Sequence, residues 1–249
     1  MHLHGQVLFD VPAAACVYPH GASYDPQRWH PFTATLRQYR DLGGDVTYET
    51  SILRSYYERF QPATLLELFF PPEVVATNED ASLAHLQPCE VEPVLPWDAA
   101  LVAPMGEAGL DPSHGHQGFG PVSAAKGRLE FGRLTHLWDE LHREPFDVDE
   151  NGGVQGYFLL RGADYRFVVR VGFHRVAVLS ALGVPKVRVH FVDGQARAWH
   201  AETLARWPLV RTGVYPEPLA RRFVDQFFDD DWTSRVIAPQ VEPTWRPPA

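Results

Sequence analysis

The sequence predicts an α+β fold: a small sheet with helices, preceded by a helical cap segment and followed by C-terminal helices. Three observations predict it. Aromatic and β-branched residues gather in short runs between positions 157 and 192, as strands require. Segments before and after them repeat their apolar residues at helical spacing. The 22 prolines and 19 glycines fall mainly between these segments and mark connections. The expected organisation is a mostly helical cap over residues 1–92, a core over 93–195, and a helical extension with a proline-rich tail over 196–249.

Taken in order, residues 1–24 read as an irregular lead with one apolar run, 7–11. A helix over 32–42 is closed by Gly43-Gly44. A second, over 48–60, has Ser51 as N-cap and Ile52, Tyr56, Arg59 and Phe60 on one face. A third, over 64–70, stops at Pro71-Pro72. Residues 73–92 form a linker, and Val94-Leu95-Pro96-Trp97 a short strand. The glycine-rich loop 103–119 holds Ser113-His114-Gly115-His116-Gln117-Gly118-Phe119, and structureless stretches of this length are often functional.

A long helix over 123–144 begins at the N-cap Ser123 and buries Leu134, Leu137, Trp138 and Leu141. Glu130 lies on or beside that apolar stripe, so it needs a partner, and Lys126 and Arg133 are in reach. After a turn over 147–153 come strands 157–160 and 165–171, joined through Gly162-Ala163-Asp164. A helix over 176–182 ends at Gly183. Strand 187–192 follows, with Arg188 and His190 pointing outward. Short and long helices are expected over 198–207 and 216–230; in the second, Leu219, Phe223, Gln226 and Phe227 face inward. An extended tail covers 238–249.

Composition limits the function. With 45% hydrophobic and 12% aromatic residues, the 249-residue chain can build a packed core. A net charge of −9 opposes nucleic-acid binding, which depends on neutralising phosphates. No apolar run nears the roughly 20 residues that span a bilayer, and the first residues lack a basic, then apolar leader, so a cytoplasmic protein without membrane contact is expected. Cys16 and Cys89 read as free thiols. Yet between positions 164 and 211 eight basic residues oppose three acids, a balance suited to a small anion.

That basic stretch contains the strand–helix junction Gly172-Phe173-His174-Arg175. Glycine lets a ligand approach the backbone, and the first N–H groups of a helix carry its positive dipole end. Two cationic side chains there call for an anion, and a phosphate would explain both.

The junction resembles the ParB/sulfiredoxin-like superfamily, over roughly residues 93–192. Sulfiredoxins carry Gly-Cys-His-Arg at this turn, ParB proteins Gly-Glu-Arg-Arg, and free serine kinases of the fold Gly-His-His-Arg. The resemblance implies a small mixed sheet and a nucleotide-binding core over 93–195, with Gly172, Phe173, His174 and Arg175 on the phosphates. Phe173 stands where sulfiredoxins place their catalytic cysteine, which argues against that activity. ParB's following helix-turn-helix is not found. The serine kinases take their base from a glutamate in the loop region; here the loop offers His116 and Gln117.

The function expected is nucleotide-dependent phosphoryl transfer to a small hydroxylated metabolite, using ATP or ADP with Mg2+. Ser123 and Lys126 would join the nucleotide site. His116, or Glu130 with its pKa raised by burial, would act as acid–base group. Alternatives are a non-catalytic nucleotide-binding regulator, or a metal-dependent enzyme using His114 and His116. A homodimer is left open.

Overall fold

The computed structural model describes residues 7–42, 45–143 and 153–229. Its strands are β1 (Phe9–Pro12), β2 (Cys16–Val17), β3 (Val154–Arg161), β4 (Asp164–Val171), β5 (Lys186–Phe191) and β6 (Ala198–His200). Its helices are α1 (Pro31–Leu42), α2 (Ile52–Arg59), α3 (Leu65–Phe69), α4 (Pro72–Val75), α5 (Ala124–Arg143), α6 (Phe173–Ala181), α7 (Pro208–Arg211) and α8 (Glu217–Asp229). The fold is α+β.

The β3–β4 hairpin is the centre of a six-stranded mixed sheet ordered β1-β5-β3-β4-β2. Arg161 pairs with Asp164, so Gly162 and Ala163 make the turn, with Gly162 at φ 59°. The far edge of β3 is shared: β5 pairs in parallel with Val154, Gln155 and Gly156, and β6 with Phe158, Leu159 and Leu160.

Strand alternation sorts side chains into two cores. Val154, Phe167, Val169, Val187 and Val189 face one core, closed by α1, α2, α5 and α6. Tyr157, Leu159 and Val168 face the other, closed by α3, α4, α7, α8 and the coil around Trp97. In α8 the inward residues are those expected: Leu219, Phe223, Gln226 and Phe227 are buried. Ser51 and Ser123 cap their helices as expected, accepting from the backbone N–H of Arg54 and Lys126.

Several expectations are corrected. The expected irregular lead over 1–24 supplies two strands in its described part, β1 antiparallel to β5 and β2 parallel to β4. Strands of four and two residues show no periodicity of their own and form because an edge is waiting for them. The sheet and both cores therefore cross the expected boundaries at 93 and 196. Residues 48–50 are a 3-10 turn, so α2 starts later and buries Leu53, Tyr56 and Tyr57, leaving Arg59 exposed. Pro72 opens α4, and a 3-10 turn over Ser82–His85 follows, inside the expected linker.

Val94-Leu95-Pro96-Trp97 is buried coil, not strand. Its proline lacks a donor, and other backbone groups bond elsewhere: Leu95 N–H to Asp98 Oδ2, Val94 C=O to Tyr215 Oη, Pro96 C=O to Leu209 N–H. Arg188 is exposed, but His190 on the same side is buried against Gly153. Instead of one helix over 198–207 there are β6 and a 3-10 helix, Ala201–Arg206, because β3 still offers an edge where β5 ends. The Gly43-Gly44 stop, nearly all of the 147–153 turn and the 238–249 tail lie outside the described residues.

No described helix is long and apolar enough to cross a membrane. Cys16 and Cys89 are unpaired; burial pushes the Cys16 thiol up to about 12.

Candidate functional site

β4 delivers the chain to Gly172, whose left-handed backbone (φ 91°, ψ 26°) turns it into α6. A Cβ there would sit 3.3 Å from Val154 Cα. No side chain caps the first turn. Phe173 leans on Tyr18 with ring centres 4.6 Å apart, and His174 stacks on Phe32 at 5.1 Å and 9°. Arg175 donates from Nη1 to Gly153 C=O at 3.4 Å. The junction opens on a cavity of about 450 Å³ that Arg133 and Arg170 also line.

Beside it, α5 carries a buried charge network. Glu130 is fully buried. Its Oε1 lies 2.9 Å from Lys126 Nζ and 2.9 Å from Arg133 Nη1, the two partners expected. Its Oε2 lies 2.7 Å from His174 Nε2, an ion-pair contact rather than an aligned hydrogen bond. Glu107, from the glycine-rich loop, bonds both Lys126 and Arg133. Thus Lys126, Glu130 and His174 come together, whereas Ser123 caps α5 and meets His114, and neither Ser123 nor Lys126 lines the cavity before α6. Glu130 is the anion that His174 faces, a role expected of a phosphate.

The protonation of this carboxyl corrects a further expectation. Burial raises the Glu130 pKa, but the His174 contact and the charges of His174 and Lys126 outweigh it, leaving about 2. Glu130 stays ionised and is not poised to take a proton.

The loop of residues 103–121 is fastened from α2. Tyr56 Oη donates to Gly118 C=O (2.5 Å), Tyr57 Oη to Gln117 C=O (2.7 Å), and Gly120 N–H to Phe60 C=O (2.9 Å). A Cβ at Gly120 would meet Tyr57 C=O at 1.8 Å, so only glycine fits this approach. Within the loop, His116 Nδ1 accepts Gly118 N–H at 2.9 Å, and its ring stacks on Phe119. The ring proton therefore sits on Nε2, 3.7 Å from Glu92 Oε2. Burial lowers the His116 pKa to about 4, against an opposing pull from Glu130. In this geometry His116 is a neutral donor at Nε2, not the base expected.

Glu92 is the residue missed, because the sequence places it at the end of a linker. Its N–H donates to Val102 C=O at 2.7 Å, and its carboxylate accepts from the Met105 backbone. Burial raises its pKa above the ordinary carboxylate value. A lone acid between Val91 and Pro93 is a faint signal. Glu92, Met105, His116 and Gln117 form a wall shared by a cavity of about 860 Å³ and one of about 550 Å³; Gln117 also borders the cavity before α6.

Among the described residues no three His, Cys, Asp or Glu side chains are grouped as one metal's ligands. His114 Nδ1 is engaged by Ser123 Oγ at 2.8 Å, as His116 Nδ1 is by the Gly118 N–H at 2.9 Å. Comparison of the chain with protein-family models, curated proteins and solved structures finds no match.

Proposed function

We propose that this protein binds the phosphates of an adenine nucleotide at the first turn of α6 and transfers a phosphoryl group to a small hydroxylated metabolite. One observation carries the reading: a left-handed glycine opens a helix that no side chain caps, before a cavity lined by Arg133, Arg170 and Arg175. Helix N–H groups and three guanidiniums bordering one space, against the carboxylates Glu107 and Glu140, support a polyanion there. The strand–Gly–Phe–His–Arg–helix order within a mixed sheet supports the ParB/sulfiredoxin-like form of the fold, and the free thiols support a cytoplasmic setting. Mg2+ arriving on the phosphates would be held from the protein side by Glu107, which borders both this cavity and the one of about 860 Å³, and would neutralise phosphate charge.

Glu92 replaces His116 and Glu130 as the group that accepts the hydroxyl proton. Its pKa is raised, its carboxylate borders two cavities, and the His116 Nε2–H beside it steadies the anion. Calorimetry with ATP and ADP, with and without magnesium, tests the binding. Arg175→Ala should weaken it by about 1.5–3 kcal/mol, the range for a hydrogen bond to a charged group. No heat at millimolar nucleotide overturns it.

One observation favours a second reading, a nucleotide-binding regulator: both Glu130 and His116 titrate far below neutrality. Nucleotide that is bound but consumed with no acceptor selects it.

A further inference from the structure

The cavity of about 860 Å³ differs in character from the one before α6. It runs between the start of α3, the 3-10 turn Ser82–His85 and the glycine-rich loop. Its charged lining is three carboxylates, Glu92, Glu107 and Asp111, against one ammonium, Lys126. No arginine lines it. The ammonium is already held by Glu107 and Glu130. Asp111 accepts hydrogen bonds from the Ser113 N–H and Oγ–H, which keep its carboxyl below the usual range and ionised. An anion entering here would meet net repulsion.

The rest of the lining suits hydroxyl groups. Gln61, Thr64 and Gln87 offer neutral donors and acceptors, and Phe119, backing the His116 ring, offers an apolar flank. The volume falls in the range of about 300–1,000 Å³ that holds small-molecule ligands.

We propose that this cavity is the acceptor site, and that it takes an uncharged or cationic polyol of sugar size, such as a hexose or aminohexose unit, and rejects phosphorylated or carboxylated sugars. The proposal rests on the phosphoryl-transfer reading and adds the acceptor's chemical class. A hydroxyl of the bound sugar reaches the wall where Glu92 and His116 meet. In the transfer its oxygen bonds to the terminal phosphorus, and the bond from that phosphorus to the bridging oxygen breaks. The electron pair leaves on the shortened nucleotide, and the hydroxyl proton goes to the Glu92 carboxylate.

The test is calorimetry on the full chain with a hexose, a hexosamine and a hexose phosphate, each alone. The hexose and the hexosamine should bind, and the hexose phosphate at least tenfold more weakly. Ala63→Trp adds bulk at an exposed rim position and should weaken sugar binding at least tenfold while ATP affinity stays within twofold. Independently of any substitution, Cys89 lines the cavity and is exposed whereas Cys16 is buried, so saturating hexosamine should slow maleimide labelling of Cys89 severalfold. The proposal is overturned if none of the three sugars binds, if the hexose phosphate binds as well as the hexose, or if Cys89 labelling is unaffected. Sugar binding that persists while ATP gives no heat keeps the cavity assignment and removes the phosphoryl-transfer reading, so the two failures are distinguishable.

Discussion

Glu130 holds two helices together through charge: Lys126 and Arg133 reach it from α5 and His174 from α6. Removing one member of a buried ion group leaves the others uncompensated, which costs about 3–5 kcal/mol. Glu130→Gln should therefore lower the urea midpoint sharply at neutral pH. The sign of the pH dependence follows from the depressed carboxyl. Its stabilisation is complete above the ordinary 4.5 and disappears as pH falls toward about 2. Denaturation curves across that window should lose this component in Glu130→Gln, and an unchanged profile would contradict it. Two histidines act higher on the scale. Burial holds His30 at about 3 and His116 at about 4, whereas 6.5 is ordinary. The unfolded chain takes up protons below 6.5 that the folded rings refuse, so stability should already decline between 6.5 and about 4. A flat stability profile there would show that both rings charge in place.

At the scale of elements, the junction before α6 is the sharpest test. Gly172→Ala puts a Cβ in left-handed backbone, costing roughly 1–2 kcal/mol, and brings it 3.3 Å from Val154 Cα. The variant should melt several degrees lower and bind ATP more weakly; wild-type values for both would mean the turn is not strained. This junction was legible in the sequence, as were the β3–β4 hairpin, α5, α8 and the Ser51 and Ser123 caps, because each depends on residues close in sequence. β1, β2 and β6 were not legible: each exists through the edge of a distant strand. The coil around Trp97 looked like a strand because apolar content was visible while the partners of its backbone were not. The site divided in the same way. Lys126 and Arg133 as partners of Glu130 follow from helical spacing. The direction of the Glu130 shift depends on His174, and the importance of Glu92 depends on His116; both are contacts between remote segments.

For the whole molecule, one sheet between two cores should unfold as a unit. Trp97 tests this from the side away from α6. It is buried, donates from Nε1 to Tyr157 Oη at 2.6 Å, and meets the Trp207 ring edge-on at 5.1 Å. Trp97→Ala should cost about 3–5 kcal/mol, the range for deleting a buried tryptophan. Aromatic and far-ultraviolet circular dichroism should still report one coincident transition. Two separated transitions would show that the cores melt independently.

The bond from Tyr215 to Val94 has a consequence for biosynthesis. The coil that follows Glu92 is pinned by two residues more than a hundred positions later, Leu209 N–H on Pro96 C=O and Tyr215 Oη on Val94 C=O. A ribosome makes Glu92 long before it makes either. The coil beside the wall of the cavities thus gains these two braces only after Tyr215 has been made, and a message cut short before Leu209 would yield a protein that contains every proposed site residue and lacks both braces.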